Sequence, residues 1–128
     1  MAEARGFLAG ILVKIENDSG VISITPEVFS NIAGDAATRC FGVKGMAGRS
    51  KTDGIAVLLR RESMSKGVSV HFPEEGGVDI ELHIVVDHGV NITALGRSII
   101  GEVGYKVRQA TGVTVNRVDV FVDSMLID

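Results

Sequence analysis

The ten residues from Val78 to Asp87 constrain this chain more than any other stretch. Val78, Ile80, Leu82, Ile84 and Val86 fall on one parity, and Asp79, Glu81, His83, Val85 and Asp87 fall on the other. A period of two is the signature of a strand with one apolar and one polar side. Such a strand buries a single face, so the helices have to lie together on that face. The expectation is an α+β fold: a two-layer sandwich with a mixed or antiparallel sheet and two main helices on one side.

The neighbouring segments fit this frame. Val68, Val70 and Phe72 alternate with Ser69 and His71, and Pro73–Gly77 is a turn by composition, so the two runs read as an antiparallel hairpin. Upstream, Val21–Thr25 is a short strand. Thr25-Pro26-Glu27 then opens a helix with a hydroxyl cap, a proline at the first position and an acid in the first turn. Val28, Phe29, Ile32, Ala33, Ala36, Ala37 and Cys40 recur at helical spacing, and Gly42 stands where a left-handed closing residue belongs. Val43–Met46 is a short strand and Ala47–Asp53 a polar, basic loop. Asp53 caps a short helix through Ile55, Leu58 and Leu59 that closes near Arg60 and Arg61.

Asn91 caps a second helix carrying Ile92, Leu95, Ile99, Val103, Val107 and Ala110, closed by Gly112. Gly96, Gly101 and Gly104 inside it each cost ~1 kcal/mol against alanine. Close approach of another backbone is the simplest compensation. Val113–Val122 is a long last strand. Val118, Val120 and Val122 share one parity and Val113 and Val115 the other, which predicts a bulge near Asn116.

With 128 residues there is room for one domain, at residues 19–125, preceded by an extension at 1–18 and followed by a tail at 126–128. The apolar run Phe7–Val13 is too short to span a bilayer, where ~20 residues are needed, and no clear small-x-small cleavage site follows it. It reads as an added edge strand or a docked arm. A single cysteine makes neither an internal disulfide nor a two-cysteine metal knuckle, which fits a cytoplasmic setting. The net charge of −3 and the absence of tryptophan disfavour nucleic acid as a partner.

Four residues on the polar side of the central strand, Asp79, Glu81, His83 and Asp87, form a candidate interaction face. As metal ligands they are poorly placed, because alternate residues of one strand step ~6.5 Å apart. The one route to a site is His71 on the neighbouring strand approaching His83. Cys40 lies on the apolar stripe of its helix, and no nucleophile-elbow, phosphate-loop or dinucleotide motif occurs. No catalytic, cofactor-binding or metal residue is expected. The alternative reading is a small RNA-binding module. Gly42-Val-Lys-Gly45 has the form of a backbone-clamping GxxG loop, with Lys44, Arg49, Lys51, Arg60, Arg61 and Lys66 as basic neighbours.

In order and spacing, these segments resemble the alkaline shock protein family, the small envelope stress response proteins of Gram-positive bacteria. The resemblance is carried by Gly20-Val-Ile-Ser-Ile-Thr-Pro-Glu-Val-Phe, Ile32-Ala33, Gly42-Val43 and Gly45-Met46, and by Gly67–Val70, Asp79–Val86 and Gly89–Ile92. It closes with Thr111–Val120 and covers about residues 19 to 125. It implies a cytoplasmic, non-enzymatic protein that assembles with itself or with a membrane-anchored partner, without a membrane span of its own, in cell-envelope homeostasis. It brings no catalytic residues. The apolar start and the basic insert Ala47–Lys66 depart from the pattern.

Overall fold

The structure is a computed structural model that describes residues 3–7, 12–49, 56–59 and 61–127. In chain order the elements are β1 (Glu3–Phe7), β2 (Leu12–Asn17), β3 (Gly20–Ile24), α1 (Pro26–Thr38), β4 (Val43–Arg49) and β5 (Ala56–Leu58). A 3₁₀ helix (Arg61–Gly67), β6 (Val68–His71), β7 (Val78–Asp87), α2 (Ile92–Thr111) and β8 (Val115–Leu126) follow. Helices and strands combine into the expected α+β sandwich.

β7 is the axis of the main sheet. β8 runs parallel to it along one whole edge, from Val78↔Val115 to Asp87↔Leu126. The other edge is shared. β6 occupies it from Asp79 to Leu82, and β4 from Ile84 to Val86, both antiparallel. α1 lies over β6 and β4, and α2 lies over β8 beside α1.

The apolar parity of β7 meets Phe29, Ala33, Ala36 and Ala37 of α1 and Leu95, Ile99, Val103 and Val107 of α2 in one core. Phe29 and Phe72 meet edge to face, with ring centroids 5.3 Å apart, and both are fully buried. Burial of side chains this large contributes ~1.5–3 kcal/mol each, so the aromatic pair is a principal clamp between α1 and the sheet.

Two glycines are required by geometry. Gly42 has φ +100°, and its carbonyl accepts from the Asp87 amide at 2.9 Å, tying the exit of α1 to the end of β7. At Gly67 a Cβ would stand 2.9 Å from both the Ala47 carbonyl oxygen and the Met46 Cβ, so the 3₁₀ helix presses directly on β4.

Several local expectations are corrected. The run Phe7–Val13, expected as an added edge strand or a docked arm, lies partly outside the described residues: Phe7 ends β1 and Leu12 opens β2. β1, β2 and β3 form their own antiparallel meander, which inserts buried Val13 into the core. The β2–β3 turn is held by Asn17 Oδ1, which accepts from the amides of Ser19 and Gly20. Thr25 sits at the α1 N-cap with extended backbone, but its hydroxyl makes no cap bond.

β4 runs on through Arg49, with Ala47 buried, where a loop was expected from Ala47. In place of a helix through Leu58, Ala56–Leu58 is a strand paired with Ala47–Arg49. The free side of β4 offers that segment a ladder, and three residues are too few for helical periodicity to compete. The expected cap Asp53 and the closing Arg60 lie outside the described residues. In β8, Asn116 is the extra residue between the rungs Val78↔Val115 and Asp79↔Arg117. Its side-chain amide donates to the Gly76 carbonyl at 2.9 Å, anchoring the bulge to the hairpin turn.

Candidate functional site

The sheet face away from the helices carries Asp79, Glu81 and His83, and parallel pairing sets Arg117, Asp119 and Phe121 of β8 beside them, rung by rung. At its centre is His83. Its Nδ1 lies 2.8 Å from Asp123 Oδ2 and its Nε2 2.9 Å from Glu81 Oε2, while its ring stacks on Phe121 at 5.0 Å between centroids. Burial pulls the His83 pKa down. The hydrogen bonds and charges of Glu81 and Asp123 outweigh it and hold the pKa above the ordinary imidazole value. The cationic ring donates from both nitrogens, one to each carboxylate.

This arrangement leaves His83 no free nitrogen for proton transfer or metal ligation. His71 does not join it. Its register partner is Asp79, to which Nδ1 stands at 3.6 Å, and four strand residues, ~13 Å, separate that rung from His83. Among the described residues no cluster of three or more His, Cys, Asp or Glu side chains could hold a metal ion. The Arg117 guanidinium Nε donates to both oxygens of Asp119, at 2.9 and 3.0 Å.

Asp87 belongs elsewhere. Between it and His83, Val85 is only 1% exposed although it is on the polar parity. Its ladder partner Gly45 lies under Leu58, whose Cδ1 would be 2.8 Å from a Cβ there, so β5 folds over this end of the face. Asp87 instead borders an open cleft of about 710 Å³ between the ends of α1 and α2, with Cys40, Phe41, His88, Leu95 and Glu102. Phe41 stands 97% exposed at its rim. Burial, and then the charge of Glu102, raise the Cys40 pKa, and its thiol donates to the Ala36 carbonyl. It is a neutral packing group rather than a nucleophile. Arg39 is held by Asp35 at 3.0 Å, and Asn91 Oδ1 accepts from the Ala94 amide at the start of α2.

Of the GxxG alternative, Gly42 stands in the turn before β4, and Lys44, Gly45 and Arg49 lie on β4. Gly45 is buried within β4, Lys44 is exposed beside it, and Arg49 ends β4 opposite Ala56. The Leu58 side chain lies over Gly45. Lys51 lies outside the described residues. What sequence reasoning missed is the contribution of β8. Asp123 and Phe121 complete the His83 network from forty and thirty-eight residues away, and only the parallel register brings them there.

Among the described residues no helix is long and apolar enough to cross a membrane. No solved structure matches the chain. It is 33% identical over 115 residues to the uncharacterized protein YloU of Bacillus subtilis, covering 88% of this chain and 94% of that protein. An uncharacterized protein of Streptococcus pyogenes is 32% identical over 114 residues, covering 88% and 93%. A second Bacillus subtilis protein, the uncharacterized YqhY, is 28% identical over 120 residues, covering 91% and 87%. The family model of alkaline shock protein 23, described by a cell envelope-related function, matches residues 14–127. The chain therefore belongs to the alkaline shock protein 23 family and shares its relation to the cell envelope.

Proposed function

We propose that this chain is a non-enzymatic assembly protein of the cell envelope, which associates with further copies of itself and docks on a membrane-anchored partner. The observation that carries the reading is the state of the outer sheet face. Its groups with chemical potential are already committed to one another: His83 to two carboxylates, and Arg117 to Asp119. A surface wired in this way presents shape and charge, and it leaves no activated nucleophile or base. The family's envelope-related description supports the setting. In the proposal, a partner supplies the attachment to the membrane.

The test combines light scattering over a concentration series with capture of partners from native membranes by the full chain. The expected results are a mass above that of one chain at high concentration and co-purification of a membrane-spanning protein. A strict single-chain mass, with no membrane protein retained, overturns the proposal.

A further inference from the structure

The main sheet ends very differently on its two sides. On one side stand β6 and β5, of four and three residues, which are too short to template another strand. On the other stands β8, of twelve residues, whose only ladder among the described residues is with β7. Its far edge offers a row of backbone donors and acceptors.

α2 continues that edge into the helical layer. Leu95, Ile99, Val103 and Val107 face the sheet, and Glu102, Lys106, Gln109 and Ala110 line the crevice against α1. At 3.6 residues per turn, Ile92, Gly96, Ile100 and Gly104 follow one another on the opposite flank, above β8. Ile100 is 45% exposed, and a Cβ on Gly96 or Gly104 would meet nothing within 4 Å. Among the described residues of one chain, therefore, the expected approach of another backbone to these glycines is absent. The flank is a large apolar knob between two holes, symmetric about Ile100.

β8 has a centre as well. In antiparallel self-pairing, opposed residues share a face, so the axis passes through a residue. Centring on Asp119 opposes it to itself, and centring on Phe121 opposes Asp119 to Asp123. Centring on Val120 sets no carboxylate opposite another and uses the regular run between the register shifts near Asn116 and Asp123. The two centres stand at similar distances from the corner between the two elements. From buried Val113, where α2 gives way to β8, Ile100 lies thirteen residues back along the helix and Val120 seven residues forward along the strand. Those counts correspond to ~20 Å and ~23 Å.

We infer that two copies of this chain join edge to edge about a two-fold axis through Val120 of β8 and Ile100 of α2. The sheets become continuous, and the two α2 helices pack antiparallel over the seam, with each Ile100 beside the holes at Gly96 and Gly104. This inference rests on the self-association proposed above and names its surface.

The test is sedimentation velocity on the full chain and on Ile100→Glu and Gly104→Leu, with circular dichroism of each. Gly104→Leu enters open space in the single chain and improves helix propensity, so it tests the interface without threatening the fold. Both variants are expected to weaken association at least ~10-fold with helix content retained, as an unpaired charge or a filled hole in a packed seam requires. As a positive signature, Ile100→Cys in a Cys40→Ser background is expected to oxidise to a disulfide-linked dimer, because a residue on the axis meets its own copy. Tyr105→Cys, on the outer side of α2, is expected to stay single. A single-chain mass at all concentrations overturns this inference together with the self-association proposal. Association that ignores both α2 variants, without the Ile100→Cys cross-link, overturns only this surface.

Discussion

His83 shows how a residue predicted as one of four on a polar strand face becomes an organising centre. Its folded pKa is raised, so the stabilisation from the cationic ring is fully present below the ordinary imidazole range. It is lost as pH rises through the folded value. Urea midpoints between about pH 5 and pH 9 are expected to fall across that step, and His83→Gln should remove the step. The same variant removes the charged donor 2.8 Å from Asp123 Oδ2, a mostly buried carboxylate, at a cost of ~1–3 kcal/mol near neutral pH. Gly67→Ala is expected to destabilise by ~1–3 kcal/mol in the same assay, because its Cβ meets backbone on one side and Met46 on the other. Gly101→Ala meets nothing and should raise the thermal midpoint, with ~0.5–1 kcal/mol gained from helix propensity. Among these residues the alternation of Val78–Asp87 was legible from sequence. The partners of His83 were not, because they depend on the register of a strand forty residues away.

At the scale of elements, helix starts separate sequence grammar from its use. Thr25 and Asn91 both have the right identity for a cap, but only Asn91 makes the bond. Asn91→Ala is expected to cost ~0.5–2 kcal/mol and Thr25→Ala to be nearly neutral, measured by thermal unfolding of the two variants side by side. α1, α2, β7 and the hairpin are long or strongly periodic, so local pattern specified them. β5 was read as helix because a three-residue strand has no period of its own, and the open side of β4 decides its state. The run Phe7–Val13 was read as an added edge strand or a docked arm, because a short apolar run does not say which sheet a strand joins. The bulge at Asn116 was legible because two parities collide within one strand.

At the scale of the whole molecule, the family gives the chain a cell envelope-related function, and the fold distributes its surfaces. One side of the sheet is closed by short strands, the outer face is a compensated polar surface, and among the described residues β8 is paired on one side only. Three glycines that weaken α2 meet nothing among the described residues to justify them, and the two-fold seam gives two of them, Gly96 and Gly104, a role. The measurement that tests this account most directly is amide hydrogen exchange of the full chain, followed residue by residue at low and high protein concentration. The account predicts that protection of Arg117–Val122 rises with concentration while that of the β1–β3 meander stays constant. Exchange of β8 that is indifferent to concentration would contradict it.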